Sequence, residues 1–480
     1  MSDALTFWAP WAFLDGQWQR DVLLTADAMG RWTGIQAELP CPTDAHRLDG
    51  ALLPGLVNAH SHAFQRAFAG LTERRQAQHD DFWSWRDRMY QVALQLTPDD
   101  VRVVARHLYA ELLAGGFTHT CEFHYLHHDR DGRPYAQPAA MMEALAAAAD
   151  DVGMTLTLLP VLYQRAGFTS PALREDQRRF ATSVDEVLML RDVVRGWRLP
   201  HVTAGVAIHS LRAATPDAMA QLASSVRQDP APLHVHVAEQ QAEVTQCVEA
   251  TGKRPLPWLA DSGWLDARWH LVHATHSLPQ EVDAVAASGA GVVLCPGTEA
   301  NLGDGVCDLD GWLAAPTPIS IGTDSHVTRA WPQELQLLEY GQRLVKQRRN
   351  VAADATQQPS TAARLFARVL QGGAVAAGWT SIGFVPGARA DFVVVDLQQP
   401  ALCGIPATHL LDALVFSGAA SPFMETWVGG RRAPLDPAVN ETQRAKSETM
   451  RHTRRDSMRD SMRDSMRDSM RDTMQRLWGS

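Results

Sequence analysis

The sequence predicts an α/β protein with a (β/α)8, TIM-like barrel and a small β-sandwich domain built from its N- and C-terminal segments. Three observations lead to this prediction. Short apolar runs alternate with helix-like stretches through the middle of the chain, as in a barrel of parallel strands. Strand-like segments with turn signals lie on both sides of that middle. The length of 480 residues accommodates one large barrel and one small domain.

The two ends of the chain resemble short strands separated by turns. Asp15-Gly16 and Met29-Gly30 mark turns near the N-terminus, and a β-branched run over 391–396 follows a Pro-Gly-Ala turn near the other end. We therefore predict that residues 1–50 and 376–437 form one β-domain that is split across the sequence. The barrel is expected between them, over residues 51–375.

Eight apolar runs predict the strands of the barrel. The helix that follows Thr97 is well marked, because acidic residues occupy its first turn and Gly115-Gly116 ends it. An open, doubly wound sheet is the alternative, and the lack of a glycine-rich phosphate loop after the first run disfavours it. The predicted strands span residues 52–59, 118–124, 154–162, 202–209, 233–238, 270–274, 291–295 and 317–322.

The composition excludes several classes of protein. Apolar residues make up 45% and charged residues 20%, and the formal net charge is −10, which is typical of a soluble globular protein and unsuited to nucleic-acid binding. No apolar run is long enough to cross a membrane, and the N-terminus lacks the features of a signal peptide. The six cysteines contain no CxxC pair, so we expect reduced thiols in a cytoplasmic protein whose partner is a small molecule.

The segment 438–480 differs from the rest of the chain. From Arg455 it repeats Arg-Asp-Ser-Met with a period of four residues, close to the helical repeat, so each residue type would form a slowly winding stripe on a helix. A methionine stripe is suited to packing on a partner, whereas an expanded simple repeat gives a frayed helix or a disordered tail. We predict that the tail is helical or disordered. Of the two interpretations, we favour an expanded simple repeat over a methionine stripe that packs on a partner.

The first chemical signal is the segment LLPGLVNAHSH, which ends at His60 and His62. Side chains two residues apart on a strand point to the same face, so both imidazoles are expected at the C-terminal mouth of the barrel. Together they form a chelate for a metal ion. The alternative is a pair of ordinary surface histidines.

Further metal-competent residues end the fifth, sixth and eighth predicted strands. His236 and Glu239 lie in HVHVAEQ, His273 in LVHATH, and Asp324 in ISIGTDSH. Taken singly, each residue also has a structural interpretation: His273 as a hydrogen-bonded histidine of the core, and Asp324 as the N-cap of a helix. Their coincidence on one rim of the predicted barrel favours a metal centre with acid–base groups beside it.

These motifs resemble the amidohydrolase superfamily over roughly residues 1–435. The resemblance implies that His60, His62, His236 and Asp324 are the metal ligands, and that Glu239, His273 and Asp324 are catalytic, as in the deaminase branch. No lysine precedes Lys253, so the carboxylated lysine that bridges two metals in some relatives is absent and one metal is expected. Three nitrogens and a carboxylate suit Zn²⁺, one per subunit, with Fe²⁺ as the alternative.

Polar residues near the predicted mouth indicate the substrate. Arg86 lies in DFWSWRDRMY, Tyr125 follows the second strand, and His209 and Arg212 follow the fourth. Two guanidinium groups suit carboxylates, whereas a neutral nucleobase would not require both. The alternative for either arginine is an ion pair with the protein's own acids.

Long segments are similar to the formimidoylglutamate deiminase family, among them NAHSHAFQRAFAGLTE, EFHYLHHDRDGRPYA, LCPGTEANLGDG and GTDSHVT. This resemblance implies hydrolysis of N-formimino-L-glutamate to N-formyl-L-glutamate and ammonia, a reaction of histidine degradation, by a cytoplasmic homodimer. It also implies substrate binding by Gln65, Arg86, Tyr125, His209 and Arg212. Two alternatives remain open: a deaminase of a nucleobase or adenosine-like compound, and a non-catalytic barrel scaffold.

Overall fold

The computed structural model describes residues 5–75, 81–418, 422–434, 468–470 and 472–477. Two sheets organise them, one built from both ends of the chain and one from its middle. The predicted fold class, a (β/α)8 barrel with a small β-domain from the terminal segments, is confirmed. None of the helices in these ranges is long and apolar enough to cross a membrane.

The small sheet joins the two ends of the chain. In it, β15 pairs antiparallel with β5, and β5 pairs parallel with β1. Phe392 stacks on Trp427 with ring centroids 5.5 Å apart, and Phe7 packs edge-on against both rings. The strands are β1 (Leu5–Leu14), β2 (Gln17–Ala26), β3 (Trp32–Gln36), β4 (His46–Arg47), β5 (Ala51–Pro54), β15 (Phe392–Val395), β16 (Phe423–Val428) and β17 (Arg431–Arg432).

The second sheet is the parallel barrel. Its strands follow one another in the order β6-β7-β8-β10-β11-β12-β13-β14, with β9 added on β8. A parallel bridge between Ser61 and Asp324 joins the first strand to the end of the last. The strands are β6 (Leu56–Ser61), β7 (Phe117–His124), β8 (Thr155–Leu162), β9 (Val202–Ala204), β10 (Val206–Ser210), β11 (Leu233–Val237), β12 (Trp269–His273), β13 (Gly291–Leu294) and β14 (Ile319–Ile321).

Helices cover the outside of the barrel. The predicted signals around the second helix are present, since Thr97 caps it and shares a capping box with Asp100. Short 3-10 helices span Ala63–Ala67, Glu175–Phe180 and Ala407–His409. The α-helices are α1 (Phe82–Ala93), α2 (Pro98–Ala114), α3 (Ala140–Val152), α4 (Val184–Gly196), α5 (Pro216–Ser225), α6 (Gln241–Thr251), α7 (Pro255–Asp261), α8 (Pro279–Ser288), α9 (Pro296–Leu302), α10 (Leu309–Ala314), α11 (Trp331–Lys346), α12 (Thr361–Ala376) and α13 (Leu410–Phe416).

Two predicted strands are each divided by a glycine. The predicted run 52–59 contains β5 of the small sheet and β6 of the barrel, so the small sheet extends past residue 50. A Cβ on Gly55 would lie 2.3 Å from Thr118 Cγ2. The predicted run 202–209 divides at Gly205, where a Cβ would lie 2.3 Å from the carbonyl oxygen of Pro232. Only glycine permits such close approach, and the strand prediction was wrong at both points.

The C-terminal carbonyls of α12 close the lower end of the barrel. His234 Nε2 donates to the carbonyl oxygen of Ala376 at 2.9 Å, and the Thr157 hydroxyl donates to that of Ala377 at 3.3 Å. His234 shares a face of β11 with His236 but lies one layer deeper. His234 is therefore part of the barrel floor, and of these two histidines only His236 lies at the mouth.

Part of the predicted tail can be described. Residues 468–470 and 472–477 are helical, and Met470 and Leu477 are buried. Arg476 forms an ion pair with Asp100 at the start of α2. Most of the Arg-Asp-Ser-Met repeat lies outside the described residues.

Candidate active site

Three imidazoles and one carboxylate converge at the C-terminal mouth of the barrel. His60 Nε2 lies 3.1 Å from His62 Nε2 and 2.9 Å from His236 Nε2. Asp324 Oδ1 is 3.4 Å from His60 Nε2 and 3.3 Å from His62 Nε2. The structure thus brings together all four residues that the resemblance implied as metal ligands.

The outer nitrogens of two of these rings are fixed by main-chain oxygens. His62 Nδ1 donates to the carbonyl oxygen of Phe123 at 2.8 Å, and His236 Nδ1 donates to that of His209 at the same distance. A neutral ring that carries its proton on Nδ1 presents a lone pair on Nε2. Burial lowers the pKa of His60, His62 and His236, which keeps the rings neutral.

This donor set fits a divalent metal ion. Lone pairs about 3 Å apart repel one another unless a cation lies between them, and tetrahedral zinc at about 2.0–2.1 Å from each imidazole nitrogen gives a comparable spacing. The lysines in the described part of the chain lie far from the site, since Lys253 pairs with Asp261 at 2.7 Å and Lys346 with Asp310 at 2.6 Å. The described residues therefore match the single-metal arrangement.

Glu239 and His273 lie beside the four donors. His273 Nε2 is 3.7 Å from Glu239 Oε1 and 3.9 Å from Asp324 Oδ2. Burial raises the pKa of Glu239 to about 7, with the charge of His273 opposing the shift and that of Asp324 adding to it. Burial lowers the pKa of His273, but the charge of Glu239 and hydrogen bonds to Cys295 and Glu299 outweigh burial and raise it. Glu239 and His273 thus form an acid–base pair beside the donor set.

The backbone at this rim adopts the left-handed conformation at several non-glycine residues. The φ angle is +72° at His273, +48° at Asp324, and +53° at Ala238, which precedes Glu239. Such residues cost on the order of 1–3 kcal/mol each and persist where the surrounding structure enforces them. Here the contacts around the mouth hold these three residues in that conformation.

A cavity opens onto these groups. All five residues implied as substrate-binding line it, and aromatic residues of α1 that sequence reasoning did not single out line it as well. Gln65 Nε2 donates to the hydroxyl of Tyr125 at 2.9 Å, which ties two of the five together. The lining residues are His62, Gln65, Phe82, Trp85, Arg86, Met89, Tyr90, Tyr125, His209, Arg212, His236, Glu239, His273, Leu302 and Asp324.

The two arginines of the cavity stack on one tryptophan. The guanidinium carbon of Arg86 lies 4.4 Å from the ring centroid of Trp83, and that of Arg212 lies 5.3 Å from it. Within the described ranges neither arginine forms an ion pair with a carboxylate, and the buried Nε atom of each lacks a hydrogen-bond partner. Burial opposes the charge of Arg212, but the charges of the buried Glu243 and of Glu239 act on it from a longer distance and raise its pKa. The alternative of internal pairing therefore holds in part for Arg212.

Two buried carboxylates near the site were missed by sequence reasoning. Glu122 on β7 accepts the hydroxyl of Ser61 and the N–H of Ala63, each at 2.7 Å, and so holds the segment that carries the first two histidines. Glu299 on α9 contacts His273. The available signal for Glu122 was that it is the one acidic residue in the run that forms β7.

Gly297 packs closely against its neighbours at the start of α9. Its N–H donates to Glu334 Oε2 at 2.8 Å. A Cβ at this position would lie 2.5 Å from the Thr328 hydroxyl oxygen, so a larger residue would displace Thr328.

The barrel and its buried donor set define a class of metal-dependent hydrolases, and comparison with known proteins agrees. Residues 51–433 match the model of the amidohydrolase family, so the chain belongs to that family. The resemblance inferred from the motifs is confirmed.

Two proteins of known function and one solved structure are similar to this chain over most of its length. A formimidoylglutamate deiminase of Pseudomonas aeruginosa is 42% identical over 424 residues, which cover 88% of this chain and 92% of that protein. A 5-methylthioadenosine/S-adenosylhomocysteine deaminase of Haloarcula marismortui is 26% identical over 82% of this chain and 83% of that protein. A crystal structure of an amidohydrolase from Brucella melitensis superposes with a TM-score of 0.87 at 38% identity, covering 98% of this chain and 99% of that one.

A more distant structure shares the fold alone. An adenosine deaminase from Xanthomonas campestris with bound zinc superposes with a TM-score of 0.73 at 22% identity, covering 98% of both chains.

Proposed function

We propose that this protein hydrolyses N-formimino-L-glutamate to N-formyl-L-glutamate and ammonia. The observation that carries the proposal is the pair Arg86 and Arg212, which line a cavity beside the donor set and, among the described residues, have no carboxylate in ion-pair contact. The 42% identity to a formimidoylglutamate deiminase supports the same substrate. In the reaction, water adds to the formimino carbon and ammonia leaves.

We propose His60, His62, His236 and Asp324 as the ligands of one Zn²⁺, with Fe²⁺ as the alternative. A metal bound there lowers the pKa of water and polarises the C=N group. The three buried, neutral imidazoles and the adjacent carboxylate suit this role.

The remaining steps belong to the side chains beside the donor set. We assign to Asp324 Oδ2 the proton released as the oxygen attacks, because it faces the cavity. His273 Nε2 stabilises the negative charge that develops on that oxygen. Glu239 Oε1, 3.7 Å from His273 Nε2, gives a proton to the imine nitrogen as the oxygen attacks. When the bond from the carbon to this nitrogen breaks, the nitrogen takes the proton held by Asp324 and leaves as ammonia, and the hydroxyl on the carbon returns its proton to Glu239 as the formyl C=O forms. The pKa of Glu239, about 7, lets it give and regain a proton at neutral pH.

The cavity walls would hold the rest of the substrate. Arg86 and Arg212 bind the two carboxylates, and their stacking on Trp83 fixes both planes. Gln65, Tyr125 and His209 line the passage between the arginines and the donor set and offer hydrogen bonds to the formimino end. Residues at the ends of three strands thus define the substrate by its length and charge.

The resemblance also supports proposals about the cellular setting. We propose a homodimer that acts in the cytoplasm, in histidine degradation, on this small molecule. Size-exclusion chromatography with light scattering would test the dimer.

The reaction is tested with substrate labelled with ¹³C at the formimino carbon. We expect the formimino signal to be replaced by that of an N-formyl group while one ammonia appears per substrate consumed. Loss of signal without the formyl product would reject the proposed reaction. An inert protein with one zinc bound would favour the other deaminases, whereas a protein without affinity for zinc would favour a scaffold.

A further inference from the structure

A buried carboxylate lies behind the ring of His273, on the side away from the cavity. Glu299 Oε1 is 3.3 Å from His273 Nδ1, and the side chains of both residues are almost inaccessible to solvent. His273 Nε2 faces the opposite way, toward Glu239 and Asp324. The ring therefore has one nitrogen on the reaction centre and the other on Glu299.

The position of Glu299 is itself fixed by the start of α9. Its Oε1 also accepts the N–H of Cys295 at 2.8 Å, and its own N–H donates to the carbonyl oxygen of Cys295 at 2.9 Å. Its carbonyl oxygen accepts the N–H of Asp304 at 3.0 Å. These three bonds hold the carboxylate against His273 independently of any ligand in the cavity.

We propose that Glu299 is a positioning residue that keeps a proton on His273 Nδ1 and aims His273 Nε2 at the reacting oxygen. This inference rests on the proposed function for its kinetic consequence. A carboxylate only accepts hydrogen bonds, so Glu299 holds a proton on Nδ1. With carboxylates beside both ring nitrogens, His273 carries a second proton on Nε2, which is the one that stabilises the charge on the oxygen. The φ of +72° at His273 is a conformation that the surrounding contacts must enforce, and the bond to Glu299 is one of these contacts.

The same cluster has a second interpretation. His273, Cys295 and Glu299 each present a ligand atom, and these atoms lie within 4.8 Å of one another, close enough to hold a cation. A cation there would need a bare Nδ1, whereas the positioning role needs a protonated one. The two interpretations therefore predict opposite states of one nitrogen.

The first test changes the charge of Glu299 and keeps its shape. Glu299→Gln still accepts the N–H of Cys295 but holds the His273 proton less firmly. We expect kcat to fall about 10- to 100-fold with KM within about twofold and zinc at one per chain. Asn301→Ala is the matched control on the same helix, since it removes only the 2.9 Å bond from Asn301 Nδ2 to Glu73. It should leave kcat within about twofold of the wild type.

Three outcomes of this test would contradict the inference. An unchanged kcat in Glu299→Gln would overturn the inference, and so would an equal loss in Asn301→Ala, which would show a merely structural role of α9. A wild-type protein that binds two zinc ions, with one lost in Glu299→Gln, would establish the cation site instead.

The second test does not depend on turnover. In zinc-loaded protein labelled with ¹⁵N-histidine, the His273 signals are identified by their loss in His273→Asn, and we expect a proton on Nδ1. An unprotonated Nδ1 would overturn the inference. If the wild type releases no ammonia from N-formimino-L-glutamate, the proposed function fails, while this spectrum still decides the role of Glu299.

Discussion

The backbone N–H of Asp324 donates to the carbonyl oxygen of His60 over 3.1 Å. This bond joins the end of the last barrel strand to the first, so barrel closure and the proximity of the two proposed ligands depend on each other. The N–H of His62 returns a bond of 3.2 Å to the carbonyl oxygen of Asp324. A metal ion held by these side chains would therefore also hold the barrel closed.

Removal of the metal should lower the thermal stability of the protein. Without a cation, neutral imidazole nitrogens 2.9–3.1 Å apart face one another in a buried site. A ligand at 1,000 times its Kd stabilises the folded state by about 4 kcal/mol, so we expect chelation to lower Tm by about 5–10 °C. Calorimetry before and after chelation measures this, and added zinc should restore the original Tm. An unchanged Tm in demonstrably metal-free protein would contradict the proposed site.

Glu239→Gln should abolish most activity without loss of metal. The amide cannot deliver the proton to the leaving nitrogen, and removal of a general acid typically costs about 10²–10⁴-fold in rate. Glu239 is not among the four proposed ligands, so zinc should stay at one per chain. Steady-state kinetics and metal analysis on the same sample test this expectation. Activity within tenfold of the wild type would remove Glu239 from the proposed mechanism.

Arg212→Met should weaken the use of a dicarboxylate substrate selectively. Hydrogen bonds to charged groups contribute about 1.5–3 kcal/mol, so kcat/KM for N-formimino-L-glutamate should fall about 10- to 150-fold. The penalty should be smaller for N-formiminoglycine, which lacks the second carboxylate. Arg102→Met, at an exposed arginine paired with Asp151 at 2.9 Å, is the matched control. Equal losses on both substrates would argue against a carboxylate clamp.

Glu334→Gln should make the protein more stable at alkaline pH. Glu334 is fully buried, and burial raises its pKa to about 8 from an ordinary value of 4.5. Below 4.5 both folded and unfolded states hold the proton; between 4.5 and about 8 only the folded state does, so stability falls as pH rises through this window. Glutamine keeps the acceptor for Gly297 and has no proton to lose. Urea unfolding should show that the free energy of unfolding of the variant, relative to that of the wild type, is larger at pH 8 than at pH 5. A difference that is the same at both pH values would contradict the raised pKa of Glu334.

The features of the fold and the site that depend on local sequence patterns could be predicted from the sequence. The His-x-His spacing and the polar residues at strand ends placed His60, His236 and Asp324 on one rim, because parallel strands end together. Glu299 escaped prediction because its partner His273 is 26 residues away, at the end of β12, whereas Glu299 lies on helix α9. The divisions at Gly55 and Gly205 depend on contacts with Thr118 and Pro232, which only the closed barrel brings near.

Ammonia release by the zinc-loaded protein, with N-formimino-L-glutamate, N-formimino-L-aspartate, adenosine and guanine compared side by side, tests the central claim most directly. We expect rapid turnover of the first compound and rates at least about tenfold lower for its shorter analogue, which leaves one arginine without its carboxylate. No turnover is expected with adenosine or guanine. Turnover of a purine, with N-formimino-L-glutamate inert, would contradict the assignment and identify the cavity as a nucleobase site.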